Sequence, residues 1–225
     1  MWPGVNKKIL YKGAEAEIYL SKYLDKEVVK KHRIKKSYRI EEIDEDLISY
    51  RTKEEAKLIV EARGAGVSVP IIYDVNLKNG IITMQNIKGE RIKDIFEKIP
   101  AKKREKICKD IGKNIAKLHN KNIIHGDITT SNMIIYKNRV HFIDFGLGEI
   151  NSETEAKGVD LHVLMEAIES THSNYSDYFK YVLDGYDSEY KNESKPVFNK
   201  IDEIIKRGRY RWKQSILLPV TKGKF

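Results

Sequence analysis

The stretch His125-Gly126-Asp127-Ile128-Thr129-Thr130-Ser131-Asn132, followed by Asp144-Phe145-Gly146, decides how this chain is read. Asp127 and Asn132 are five residues apart, and Asp144 comes twelve residues after Asn132, behind the apolar positions Val140, Phe142 and Ile143. Phosphoryl transfer needs a carboxylate near an acceptor hydroxyl and oxygen ligands that hold Mg²⁺ against phosphates. Asp127 supplies the first. Asn132 and Asp144 supply the second if a loop and a hairpin bring them together.

The spacing fits the protein-kinase pattern H-R-D-x-x-x-x-N followed by D-F-G, with Gly126 in place of the arginine. Such a pattern calls for a phosphate-contacting lysine on a strand nearer the N-terminus and a carboxylate on the helix that follows. Val28-Val29-Lys30-Lys31 offers two lysines. Strand alternation puts Lys31 on the face of Val29, which favours it over Lys30. Glu54 and Glu55 are adjacent on the next helix, and Leu58 and Ile59, one turn on, favour an inward Glu55. Protein kinases use G-x-G-x-x-G to bring backbone N–H groups to phosphates. Here there is only Gly13-Ala14-Glu15-Ala16. Glu15 would carry a negative charge towards a nucleotide, so it needs a counter-ion, and Lys31 is the expected one.

Outward from these motifs the chain divides in character. Residues 9–23 hold a Gly-containing turn between short apolar stretches, 27–32 read as a strand, and Leu47–Ala62 as a helix. Ile71–Ile87 reads as a hairpin turning at Asn79-Gly80. Lys102–His119 is an amphipathic helix, with Ile107, Ile111, Ile115 and Leu118 on one face and lysines elsewhere. A second hairpin turns at Asn138. The chain from Asp160 onward is expected to be mostly helical. The expected fold class is α+β, a bilobal arrangement with a β-rich N-lobe (about 1–86), a connector (about 84–89) and a small helical C-lobe (about 90–225).

With 225 residues, 40% hydrophobic and 33% charged, the chain can bury one core or two small lobes sharing one. Mean hydropathy is −0.54, and no run reaches the ~18 apolar residues of a membrane span. The N-terminal MWPGVNKKIL lacks the apolar core of a signal peptide. Cys108 is the only cysteine, so neither an intramolecular disulfide nor a cysteine-based metal site is expected, and the setting read from it is reducing and cytoplasmic. Net charge is +9, favouring polyanionic partners. Lys30, Lys31, Arg33, Lys35, Lys36 and Arg39 form one acid-free run, and five acids follow between Glu41 and Asp46. From residue 206 to the end there are seven positive residues and no acid (Lys206, Arg207, Arg209, Arg211, Lys213, Lys222, Lys224), with Tyr210 and Trp212 among them, a mixture suited to phosphate contact and base stacking.

KGAEAEIY, VVKKHRIKKSYR, RTKEEA, NIIHGDITTSNMI, FIDFGLG, GVDLHVLMEAIESTH and RGRYR together resemble the small atypical protein kinase of the KEOPS (EKC) complex, a family related to RIO kinases, and the resemblance runs over essentially the whole chain. It implies ATP and Mg²⁺ as cofactors. It implies work alongside a metal-dependent threonylcarbamoyl transferase subunit and a small subunit in making threonylcarbamoyladenosine on tRNA, with tRNA contact through the basic tail. It assigns Asp127 as the catalytic residue, Asn132 and Asp144 as metal ligands, and Lys31 with Glu55 as the nucleotide-site pair. Gly13, Ala14, Glu15 and Ala16 would form the nucleotide loop, flanked by Leu10 and Ile18 against the base. Met84, Gln85 and Ile87 would belong to the connector that meets adenine. Asp160 would brace the catalytic loop, and His125 would support that loop rather than react.

Two departures separate the chain from ordinary protein kinases. Only 13 residues lie between Gly146 and Asp160, with no A-P-E, so the platform for a peptide substrate is missing. Thr129 stands two residues after Asp127, where many serine/threonine kinases have a lysine. Both point to slow or partner-dependent phosphotransfer, with ATP hydrolysis prominent. The competing readings are a small-molecule phosphotransferase of the aminoglycoside type and a tRNA-binding scaffold. Only 65 residues follow Asp160, few for a dedicated acceptor pocket.

Overall fold

Strands β1 (Lys8–Lys12), β2 (Ala16–Tyr23) and β3 (Lys26–Arg33) run into helix α1 (Glu41–Gly64), and β4 (Ile72–Asn76) and β5 (Ile81–Gln85) complete a five-stranded antiparallel sheet in the order β1-β2-β3-β5-β4. The computed structural model describes residues 8–217, with side chains described to residue 207. Helix α1 begins six residues before the expected start: the acidic run belongs to its first turns, where Glu41, Glu42 and Asp44 face the positive end of the helix dipole. Its inner face, Ile48, Ala56, Leu58, Ile59 and Ala62, is buried.

In β3 the alternation places Lys31 opposite Ile18 of β2 and Ile82 of β5, and both Lys31 and Arg33 are buried on the face that α1 covers. The acid-free basic run is therefore not a free polycationic surface. Lys35 pairs with Glu41 and Glu45, and Arg39 with Asp44, so the acids that follow neutralise the cations before them.

After residues 86–89 come β6 (Glu90–Arg91), α2 (Ile92–Ile95) and α3 (Ala101–His119). Then follow β7 (Ile123–Ile124), β8 (Met133–Tyr136), β9 (Arg139–Phe142), β10 (Glu149–Ile150), α4 (Thr154–Thr171), α5 (Phe179–Glu189) and α6 (Lys195–Leu217). Strands β8 and β9 form the expected second hairpin. Lys137 and Asn138 both have positive φ, the requirement of a two-residue type I′ turn. Helices α3 and α5 cross so closely that a Cβ on Gly112 would lie 1.9 Å from the Val182 carbonyl oxygen, and one on Gly185 would lie 2.1 Å from that of Lys109. Ile107, Ile111, Ile115 and Leu118 of α3 then pack with Phe142, Phe145, Leu161 and Val182 into the main core. Cys108 sits in that core, fully buried, and desolvation pushes its thiol up to about 12. Among the described residues no helix is long and apolar enough to cross a membrane.

Candidate functional site

The two halves of the fold enclose a cleft of about 1040 Å³. Its apolar walls come from Leu10, Ile18, Val29 and Met84 on the sheet and from Ile134 and Ile143 on the β8–β9 hairpin. Its polar end carries Lys31, Glu55, Asp127, Asn132 and Asp144. Gln85, Asn86 and Ile87 line it where the chain passes between the halves.

Lys31 is the centre of the polar end. Its Nζ donates to Glu55 Oε1 at 2.7 Å and to Asp144 Oδ1 at 2.6 Å. Burial works against its charge, but the two carboxylates outweigh burial and hold its pKa above the usual lysine value. The Asp144 carboxyl is held below the ordinary range. Burial opposes that ionisation, and the Lys31 charge and hydrogen bond, with the Gly146 N–H at 3.2 Å, override it. Asp144 has a φ of +65°, so its backbone takes the left-handed conformation that turns the chain after β9 and aims the carboxylate at the lysine.

The loop from His125 to Asn132 is fixed from below. Asp160 of α4, almost wholly buried, accepts backbone N–H bonds from His125 and Gly126, both at 2.9 Å. His119 Nε2 donates to the same carboxylate at 3.2 Å, and Tyr186 donates its hydroxyl proton to His119 Nδ1 at 3.0 Å. His125 is buried between Phe142 and Phe145, and desolvation lowers its pKa, so it packs as a neutral ring. Gly126 has a φ of +80°, and a Cβ there would come within 2.2 Å of the Leu147 carbonyl oxygen. This explains why the position holds glycine where protein kinases have arginine. Asn132 Nδ2 donates to Asp127 at both the carboxylate (2.7 Å) and the backbone carbonyl (3.0 Å), locking the two site residues together.

Glu15 differs from expectation. It does not brace Lys31: Arg51 of α1 donates to both of its carboxylate oxygens at 2.9 Å, and Arg33 Nη1 lies 3.7 Å away. The physical reason is reach. Lys31 is already engaged by Glu55 and Asp144 deep in the cleft, while the 13–16 turn lies beside α1. The Arg51 hydrogen bond, working against partial burial and helped by the Arg33 charge, holds the Glu15 carboxyl below the usual carboxylate range. Lys36 also donates its Nζ to the Ala14 carbonyl. Gly13, Ala14, Glu15 and Ala16 are not among the residues lining the cleft, whereas Leu10, Ile18, Lys31, Glu55, Met84, Gln85, Ile87, Asp127, Asn132 and Asp144 are.

Sequence reading missed Arg33 and Arg51. Arg33 Nη2 donates to Glu55 Oε2 at 2.5 Å, so Glu55 is shared between Lys31 and Arg33. Arg33 lies two residues after Lys31 on the same strand face, and that spacing was the available signal.

The donor set fits a magnesium–nucleotide. No group of three His, Cys, Asp or Glu side chains suited to a metal is found among the described residues. Asp144 and Asn132 instead offer an incomplete oxygen set, as expected where phosphates and water complete the coordination.

Fold and cleft together define a protein-kinase-like architecture, a sheet-built N-lobe over a helical C-lobe. An aminoglycoside phosphotransferase structure with ADP bound superposes at a TM-score of 0.65, covering 99% of this chain and 89% of that one at 16% identity. A family model described as the RIO domain matches residues 6–158. The KEOPS complex subunit Bud32 of Pyrococcus abyssi is 47% identical over 91% of this chain and 96% of its own length. A probable serine/threonine-protein kinase BUD32 homolog of Archaeoglobus fulgidus is 41% identical over 89% of this chain and 95% of its own length. A probable bifunctional tRNA threonylcarbamoyladenosine biosynthesis protein of Methanobrevibacter smithii is 43% identical over 90% of this chain, which spans 36% of that protein. The chain belongs to the RIO-domain kinases and, within them, to the Bud32 family.

Proposed function

We propose that this chain is an ATP-dependent phosphotransferase, acting as a serine/threonine kinase or an ATPase, and serves as a KEOPS subunit supporting threonylcarbamoyladenosine formation on tRNA. The observation that carries the chemistry is the convergence of Lys31, Glu55 and Asp144 within 2.7 Å contacts on the cleft that Asp127 and Asn132 also line. In this reading residues 1–225 form a single two-lobed domain whose connector, around Met84–Ile87, meets the adenine.

Lys31 holds the nucleotide's phosphates, and Glu55, fixed in turn by Arg33, orients it. Asn132 and Asp144 are the residues that would hold magnesium, which when bound offsets the negative charge of the phosphates. Asp127, locked by Asn132, takes the proton from the acceptor hydroxyl or from water. The acceptor oxygen bonds to the γ-phosphorus as the bond to the bridging oxygen breaks, and ADP leaves. Leu10 and Ile18 flank the base from the sheet side.

The relatives' names support the wider role. One is a KEOPS subunit, and another carries this domain within a bifunctional tRNA threonylcarbamoyladenosine protein. We therefore place the chain beside a metal-dependent threonylcarbamoyl transferase subunit and a small subunit, in a reducing, cytoplasmic setting. The aminoglycoside-type reading is not favoured: the structure of that class shares 16% identity with this chain and so only its fold. The test is ATP turnover by the chain alone and with the transferase subunit and tRNA, wild type against Asp127→Asn. Loss of at least ~100-fold in the variant is expected for a positioned proton acceptor. Equal turnover by both proteins would overturn the reading.

A further inference from the structure

Helix α3 turns its apolar side to the core, and its other side is built almost entirely of lysine. At 3.6 residues per turn, Lys102, Lys103, Lys106, Lys113 and Lys117 fall within about 100° of one another and span ~22 Å along the axis. The first four are exposed and Lys117 is half-buried. At the edge of the same helix Lys109 pairs with Glu105 at 2.8 Å, and in the N-lobe Lys35 holds two carboxylates. None of these five lysine side chains has an ion-pair or hydrogen-bond partner among the described residues. Asp110 is the one acid within their arc, and its neighbours are not drawn to it.

The β8–β9 turn stands across a groove of about 300 Å³ from this helix, lined by Lys103, Lys106, Asp110, Ile135, Asn138 and Val140. The turn carries Lys137 and Arg139, both exposed and also without ion-pair partners among the described residues. Lys103 and Lys106 thus border the groove on the helix side, Lys137 and Arg139 are exposed on the neighbouring turn, and the lining of the nucleotide cleft includes no residue of α3.

We propose that this face binds the phosphate backbone of an RNA. Protein interfaces are depleted in lysine and anchored by aromatic and apolar side chains, and this face offers lysine without such anchors. A row of flexible point charges suits phosphates, whose contacts position a nucleic acid without reading its sequence. The choice of RNA over another polyanion rests on the tRNA-linked reading above. The face itself is independent of catalysis. In the 30–39 run, by contrast, Lys31 and Arg33 are held by Glu55, Lys35 by Glu41 and Glu45, and Arg39 by Asp44.

The experiment measures binding of an unmodified tRNA transcript to the full chain, without nucleotide, as a function of salt. Wild type is compared with Lys106→Glu/Lys113→Glu/Lys117→Glu and with the milder triple change to Gln, all at positions outside the core. We expect affinity to fall at least about tenfold at low salt in the Glu variant, with the log–log salt slope shallower by about two. RNA-independent ATP turnover and melting temperature stay at wild-type values. Asp127→Asn binds the transcript as wild type does, so failure of the catalytic reading and failure of this one are separable. Unchanged affinity and slope in both triple variants would overturn the proposal. So would wild-type binding to polyglutamate or to anionic vesicles that equals binding to the transcript.

Discussion

Arg51 grips Glu15 through both carboxylate oxygens, at 2.9 Å each, and so ties the turn between β1 and β2 to helix α1. The chain of charges continues inward. Arg33 sits between Glu15 (3.7 Å) and Glu55 (2.5 Å), Glu55 holds Lys31, and Lys31 holds Asp144. A turn that carries one acid in place of phosphate-cradling glycines is thereby coupled to the lysine of the cleft through α1.

The first prediction follows from that coupling. Glu15→Gln leaves the fold standing, because a partly exposed ion pair is worth no more than about 1 kcal/mol. ATP turnover falls roughly fivefold, equivalent to about 1 kcal/mol, as the turn and α1 lose their tie. Arg51→Gln does the same, and the double variant is no worse than either single one, the mark of a shared interaction. Additive losses in that cycle would separate the two residues.

Gly126 yields a prediction that runs against motif logic. Restoring the arginine usual in protein kinases should damage this chain. Gly126 has a φ of +80°, and a Cβ would press on the Leu147 carbonyl at 2.2 Å. Gly126→Ala is expected to cost about 1–3 kcal/mol, a fall in melting temperature of several degrees for a domain of this size. Gly126→Arg should be at least as harmful to stability and to turnover. Wild-type melting in Gly126→Ala would show that the loop can rearrange.

The catalytic loop, the hairpin before Asp144 and the lysine strand were legible because each is local. Turn chemistry at Lys137-Asn138, alternation through Val29 and Lys31, and the five-residue step from Asp127 to Asn132 are all written in short windows. Long-range pairings outside the motif were not, although the Lys31–Glu55 pair was expected. The turn's acid was expected to meet Lys31, its neighbour in function, and it meets Arg51, 36 residues away in sequence. The start of α1 was placed late because its opening turns are polar and acidic, and apolar periodicity is silent there. The contact of Gly112 with α5 depends on where a second helix lands, which no single window contains. Of the basic tail, Arg207 pairs with Glu155 at 2.8 Å, while Arg209, Tyr210, Arg211, Trp212, Lys213, Lys222 and Lys224 lie outside the residues whose side chains are described.

Asp160 supports a third prediction. Its buried carboxylate accepts two backbone N–H groups of the loop and the His119 ring N–H. Asp160→Asn replaces one acceptor oxygen by a donor facing donors. A loss of about 2–3 kcal/mol is expected, since a buried group is left unsatisfied. The loop's hold on Asp127 should loosen more than the cleft's hold on nucleotide, so kcat falls further than KM for ATP rises. A variant that loses nucleotide affinity alone would place Asp160 in the wrong role.

The last prediction concerns Cys108, which takes no part in the cleft. Its thiol is fully buried on α3, and desolvation pushes its pKa up to about 12. In the unfolded chain a cysteine ionises near pH 8.5. Between those values the unfolded state has released the proton and the folded state has not, so the folded state binds more protons and stability falls as pH rises. By pH 9.5 this single group removes about 1.4 kcal/mol relative to neutral pH. Urea unfolding at pH 7.5 and 9.5 should show that drop in wild type, and Cys108→Ala should lack this part of it while keeping whatever the tyrosines contribute. The folded chain should also resist a thiol reagent at pH 8 and react once unfolded. Rapid labelling without unfolding, or an identical pH response in both proteins, would mean that Cys108 is reached by water and that the packing of α3 against α5 is looser than its glycine contact implies.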